Sequence, residues 1–263
     1  MIRIRTWNRQ LVLFAALCLI ISLSAVIMNK FNNNAADIGI IGGADGPTSI
    51  FISGNDGEED PGKRLPPLKD LAMDPEMLVL VNKQNALPSG YAPPDLLRIE
   101  AFAPGRDDSA RYMRGEAAER LNTMLADALE EDVEIVMTTA YRSYELQRLI
   151  FESNVKKKGS VEEANKTSAK PGESEHQTGL AVDLTTPELN YEISYGFGTC
   201  EAGEWIMAHA SEYGFILRYP KGKEEITGYS YEPWHLRYVG PDAAQYIAEN
   251  DLTLEEFLSL LDQ

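Results

Sequence analysis

Ser174-Glu-His-Gln-Thr-Gly-Leu-Ala-Val-Asp-Leu184 is the stretch on which the reading of this 263-residue chain turns. Its second half is apolar except for Asp183, the pattern of a short buried strand over 180–184. Its first half carries His176 and then the turn-forming pair Thr178-Gly179. Along one straight strand, residues seven apart point to opposite faces, so His176 and Asp183 would diverge. A turn at Thr178-Gly179 before the strand lets the two side chains meet.

A second segment, Glu232-Pro-Trp-His-Leu-Arg-Tyr238, supplies what the first lacks. Pro233 and Trp234 restrict the approach to a strand predicted over 235–239, a rigidity that a site needs when ligand and base must stay aligned. Two imidazoles and one carboxylate, here His176, His235 and Asp183, hold a zinc ion and leave its fourth position open, as catalytic rather than structural zinc requires. Glu232, three residues from His235, is placed to take a proton; the plain alternative is a solvated surface acid. His209, the remaining histidine, lies mid-helix in Trp205-Ile-Met-Ala-His-Ala-Ser211 with no acid or cysteine at ligand spacing. It reads as structural.

Outward from these segments, helices and short strands come in irregular order. Strands are predicted over 77–82, 133–138 and 215–219 beside the two above. Helices are predicted over 110–130, 144–155 and 203–213, the last stopped at Gly214, with two more closing the chain behind the capping box Thr253-Leu-Glu-Glu256. Residues 156–172 read as a polar loop, long enough to form a rim or lid. No βαβ alternation is present. The expected class is α+β, a small and mainly antiparallel central sheet with flanking helices.

The first 66 residues differ in kind. Residues 11–28 carry no charge and follow Arg3, Arg5 and Arg9. As a helix they would span ~27 Å, near the hydrocarbon thickness of a bilayer. This is read as residues 1–30 comprising a basic cytoplasmic N-terminus and an N-terminal transmembrane helix, with the body outside the cytoplasmic membrane. A signal peptide cleaved near Ser22 and Ser24 is the other reading; the apolar run beyond that point favours an anchor. Residues 31–66 form a polar, breaker-rich linker. Within it, Ile38-Gly-Ile-Ile-Gly-Gly-Ala-Asp-Gly-Pro-Thr-Ser-Ile-Phe-Ile52 is similar to a short motif in the membrane subunit of sodium-pumping decarboxylases. Nothing else here resembles that subunit, so the stretch is read as an apolar patch, a hairpin or a partner-binding strand. The folded domain is expected over 67–263.

Charge narrows the function classes. Residues 1–34 carry +4, leaving 20 basic against 41 acidic residues, or −21, for the rest. Such a body repels nucleic acid and anionic lipid surfaces. Cys18 lies in the apolar run, so Cys200 has no partner for an internal disulfide in the exported part. Nothing in the sequence marks an oligomer, and a monomer is expected.

Several ordered segments together carry a family resemblance. They are Leu80-Val-Asn-Lys-Gln-Asn-Ala-Leu-Pro-Ser-Gly-Tyr91, Ala140-Tyr-Arg-Ser-Tyr-Glu-Leu-Gln147, the 174–184 stretch, Tyr213-Gly-Phe-Ile-Leu-Arg-Tyr-Pro220, and the segment from Glu232 to Gly240. In these the chain resembles VanY-type D-alanyl-D-alanine carboxypeptidases, zinc peptidases of the LAS group. The resemblance implies the LAS/Hedgehog-like peptidase fold, one Zn2+ on His176, Asp183 and His235, and Glu232 as general base. It places Arg142 near the substrate carboxylate or developing oxyanion, with Gln147 and Ser174 lining the same pocket. The implied substrate is the C-terminal D-Ala of peptidoglycan stem peptides; an LD-carboxypeptidase acting on tetrapeptide stems shares the ligand set. A non-catalytic wall-binding module is the rival, and retention of Glu232 speaks against it. Glu173 departs from the small or aromatic residue expected there and adds an acid at the rim.

Overall fold

The structure, a computed structural model, describes residues 67–262 and, before them, residues 38–39 and 51–52. The latter form an antiparallel pair, β1 (Ile38–Gly39) with β2 (Phe51–Ile52), so the ends of the 38–52 stretch meet as a hairpin's would. Residues 11–28 lie outside the described residues. Among those described, no helix is long and apolar enough to cross a membrane.

The domain is built on four antiparallel strands in the order β5 (Val136–Thr139), β6 (Ala181–Thr185), β8 (His235–Tyr238), β7 (Phe215–Leu217). The expected antiparallel α+β architecture is therefore present. The central strands β6 and β8 are buried along their whole length. Their alternation sorts two chemistries onto two faces. Val182, Leu184, Leu236 and Tyr238 enter one apolar cluster with Leu121, Met124 and Leu125 of α1 (Gly115–Glu130). Asp183, His235 and Arg237 occupy the alternate positions and point to the other face. Fully burying each large apolar side chain of this cluster contributes ~1.5–3 kcal/mol. That stabilises a sheet whose opposite face is polar. A single-turn helix α5 (Glu224–Thr227) follows β7, and a second cluster packs Ile216 and Val239 against α6 (Pro241–Glu249) and α7 (Leu254–Leu261). The capping box of α7 forms as read, with the Thr253 hydroxyl accepting from the Glu256 N–H and the Glu256 carboxylate accepting from the Thr253 N–H.

Four expectations are corrected. Residues 77–82 form no strand: the carbonyls of Met77 and Val79 accept from the Arg237 guanidinium rather than from a neighbouring strand. Residues 110–114 are not the first turn of a helix, because Tyr112–Arg114 (β4) pairs with Leu96–Arg98 (β3) and α1 begins only at Gly115. Residues 156–172 are not all loop. The helix α2 (Tyr144–Lys158) runs into the segment, and α3 (Val161–Ala164) follows behind Ser160, whose hydroxyl accepts from the Glu163 N–H. The predicted 203–213 helix starts at Glu201 as α4 (Glu201–His209) and tightens into a 3-10 turn over Ala210–Tyr213 before Gly214.

Candidate active site

His176 reaches Asp183 in the way the sequence demanded. Glu175–Thr178 form one 3-10 turn, closed by Gly179 in the left-handed conformation at φ 71°. A Cβ there would meet Leu96 and Pro93 at 3.1 Å, so both φ and packing favour glycine. The Thr178 hydroxyl donates to the Glu175 carbonyl and accepts from the Leu180 N–H at 3.0 Å, joining turn to strand. Across the sheet Asp183 stands directly opposite His235.

The three side chains converge. His176 Nε2 lies 3.3 Å from Asp183 Oδ2, and His235 Nδ1 lies 3.0 Å from Asp183 Oδ1. Ligand atoms of all three fall within 4.8 Å of one another, and all three residues are buried. Neighbouring ligands around a tetrahedral zinc with bonds near 2.05 Å are about 3.3 Å apart, and the two histidine–aspartate separations, 3.3 and 3.0 Å, are close to that spacing. His176 Nδ1 lies 2.6 Å from the Ala140 carbonyl, which acts as its acceptor and leaves the Nε2 lone pair for a metal. His209 takes no part: it faces Glu212 at 3.6 Å and packs on Trp205.

Glu232, Arg142, Gln147 and Ser174 line one cavity of about 250 Å³ together with these three residues. Every residue singled out for the site from sequence is thus in it. Glu232 is fixed through its backbone, its N–H donating to the Tyr219 carbonyl and its carbonyl accepting from the His235 N–H, each at 3.1 Å. Arg142 lies with Nη2 3.8 Å from Asp183 Oδ2 and donates from Nη1 to Gln147 Oε1 at 2.7 Å. Gln147 in turn donates to the Ala169 carbonyl at 2.6 Å. Gln147 therefore aims the guanidinium. Ile193, Tyr229 and Trp234 also line the cavity, and the exposed Tyr195 ring leans on Trp234.

The electrostatics separate the carboxylates by role. Burial disfavours charge on Asp183, but His176 and His235 outweigh it and hold the carboxyl well below its usual range. Burial pushes Glu232 up to about 7; the charges of His235 and Arg142 pull against this, and Asp183 adds to it. Burial also works against a charged His235, yet the hydrogen bond to Asp183 and the Glu175 carboxylate facing its other nitrogen hold its pKa at about 9. His176 is pushed below the usual histidine value by burial, with Arg142 adding. Paired groups whose pKa values are driven apart mark a site of acid–base chemistry.

Sequence reasoning passed over Glu175. It is fully buried and binds both Arg218 and Arg237. The signal was present in two Leu-Arg-Tyr triplets, 217–219 and 236–238. An arginine inside a buried strand requires a buried acid.

Fold and site together are those of a mononuclear metal enzyme, with a carboxylate and a guanidinium facing the same cavity as the ligand group. The model of the VanY D-alanyl-D-alanine carboxypeptidase family matches residues 110–241, and the chain belongs to that family. It is 39% identical over 189 residues to the bifunctional D-Ala-D-Ala dipeptidase and D-Ala-D-Ala carboxypeptidase VanXYC of Enterococcus gallinarum, covering 71% of this chain and 95% of that one. Among solved structures, the LdcB LD-carboxypeptidase matches with 48% identity and a TM-score of 0.66, over 70% of this chain and 87% of that chain. A vancomycin resistance D,D-pentapeptidase VanY from a VanB-type cassette, solved with Zn(II), matches with 34% identity and a TM-score of 0.59, over 70% and 99%.

Proposed function

We propose that this chain is a zinc-dependent D-alanyl-D-alanine carboxypeptidase that removes the C-terminal D-Ala of peptidoglycan stem peptides. The observation that carries this is the His176–Asp183–His235 group opening onto a cavity that also holds Glu232 and the partly buried guanidinium of Arg142. Residues 11–28 support placing the domain outside the cytoplasmic membrane on an N-terminal anchor, where such stems are found.

The site's residues divide the work. His176, Asp183 and His235 would hold the zinc ion, which would supply Lewis acidity at the scissile carbonyl and an acidic water near neutral pH. Glu232 accepts the water's proton and delivers it to the leaving amine of D-Ala. Its burial keeps its basicity near neutrality, where acceptance and donation are both accessible. Arg142, hydrogen-bonded to Gln147, offers a planar fork that suits a carboxylate. The acidic body repels an anionic stem peptide, so a local guanidinium is needed to draw its free carboxyl end inward.

Zinc uptake has a calculable pH dependence. At pH 8 Asp183 is ionised and His176, pushed below its usual value, is neutral. His235, at about 9, still carries a proton that must leave before it can ligate. Binding is expected to release close to one proton from His235 at pH 8, in addition to any given up by the metal-bound water, with affinity rising at least about tenfold per pH unit up to about pH 9. Calorimetry in buffers of different ionisation enthalpy measures this; release near zero would contradict the protonated His235.

The likeness to an LD-carboxypeptidase at 48% identity favours a second reading, cleavage of tetrapeptide stems behind an L-centre. Pentapeptide and tetrapeptide stems offered separately to the purified chain decide between them. D-Ala release from the pentapeptide is expected; release from the tetrapeptide alone establishes the second reading, and release from neither overturns both.

A further inference from the structure

Two buried polar atoms beside the ligand set have no hydrogen-bond partner: His235 Nε2 and Glu175 Oε2. They are 3.6 Å from each other. The rest of the Glu175 carboxylate is committed. Its Oε1 accepts from Arg218 Nε at 2.8 Å and from Arg237 Nη1 at 2.6 Å. Both guanidiniums are anchored in turn. Arg218 binds Glu255 of α7 through both terminal nitrogens, at 2.9 and 2.6 Å. Arg237 donates to the carbonyls of Met77, Val79 and Tyr238. None of the three side chains has exposed surface. The carboxylate plane is therefore fixed, with one oxygen saturated by arginines and the other left toward the imidazole.

We infer that Glu175 is a positioning residue: with metal bound, its Oε2 accepts a hydrogen bond from the Nε2–H of His235 and so fixes the tautomer whose Nδ1 faces the metal. This rests on the zinc reading above and extends it to one atom. On the other side of the ring, Nδ1 is the nitrogen 3.0 Å from Asp183, within the ligand cluster. An imidazole that donates from one nitrogen is a better ligand through the other, and its ring orientation is locked. The Tyr219 ring, 4.9 Å from that of His235 and tilted 36° to it, backs the same orientation. On this inference the two histidines ligate through opposite nitrogens: His176 through Nε2, because the Ala140 carbonyl engages its Nδ1, and His235 through Nδ1, because Glu175 Oε2 faces its Nε2.

The test is long-range nitrogen-15 NMR on the zinc-loaded full chain, labelled at its three histidines. Expected is a proton on Nε2 and a metal-bound Nδ1 for His235, with the reverse for His176. A metal-bound Nε2 on His235 overturns this inference alone; a wild-type chain that takes up no zinc overturns the zinc reading with it. As a second measurement, E175Q is expected to weaken zinc affinity by about 10- to 100-fold in competition titration. Unchanged affinity in folded E175Q overturns the inference. Should that variant fail to fold, the wild-type spectrum decides.

Discussion

Glu232→Gln should keep one zinc per chain and lose about 10²- to 10⁴-fold in kcat, the usual contribution of a positioned acid–base group. The substitution conserves shape. Glu232 is outside the three-residue ligand group, and backbone hydrogen bonds hold its place. Metal uptake should therefore survive while proton transfer fails. The pH profile gives an independent check. A base must be deprotonated to act, so wild-type activity should fall about tenfold per unit below the carboxyl's pKa. Burial sets that pKa at about 7 in the metal-free site, and a nearby zinc cation lowers it. The acid limb is expected at or below about pH 7 and absent from the residual activity of the variant. Metal analysis alongside D-Ala release measures all three quantities. Activity within a few-fold of wild type would remove Glu232 from the mechanism, and loss of zinc would move it into the ligand set.

The parts of this site that were legible from sequence are those with local punctuation. Thr178-Gly179 announces the turn that brings His176 to Asp183, and Pro233-Trp234 announces the rigid entry to β8. The strands β6 and β8 are short and apolar at alternate positions, so their existence could be read, and their antiparallel pairing followed from the irregular order of elements. What could not be read depends on contacts distant in sequence. Residues 77–82 look like a strand because they are apolar. Their carbonyls are engaged by Arg237, 158–160 residues away, and nothing near them signals it. The hairpin of β3 and β4 was likewise hidden, since an apolar periodicity continuing into α1 masked the three residues before it. Glu175 illustrates the same limit in the site itself. A glutamate next to a ligand is ordinarily a solvated acid, and only the folded pairing of β8 with β7, which brings Arg237 beside Arg218 at the end of β7, makes it a buried one.

That pairing also explains how the polar face of the sheet survives burial. Glu175, Arg218, Arg237 and Glu255 carry two negative and two positive charges, so the group is formally neutral. Each guanidinium in it meets several acceptors. Such a network joins β6's entry turn, β7, β8 and α7 at one place, directly behind His235. It links the stability of the domain to the geometry of the metal ligands, and sets apart these arginines from Arg142, which faces the cavity.

Arg237→Leu should lower the unfolding free energy of the metal-free domain by about 3–5 kcal/mol, the cost of removing one partner from a buried charge pair. Leucine fills part of the space but leaves the Glu175 carboxylate with one guanidinium and strips the Met77 and Val79 carbonyls of their donor. Buried acceptors left without donors each cost free energy that the folded state cannot recover from water. Against a typical total of ~5–15 kcal/mol, this loss is a large fraction. Urea titration monitored by circular dichroism measures it, in the absence of zinc, because a ligand that binds only the folded state would mask part of the change. Arg98→Ala is the control. Arg98 pairs with Glu100 at 2.6 Å, but both side chains are well exposed, at 43% and 74%. Water and salt screen such a pair, and no measurable shift of the midpoint is expected there. Equal midpoints for Arg237→Leu and wild type would mean that the guanidinium is not paired in the interior, and with it the anchoring of Glu175 behind His235 would fall.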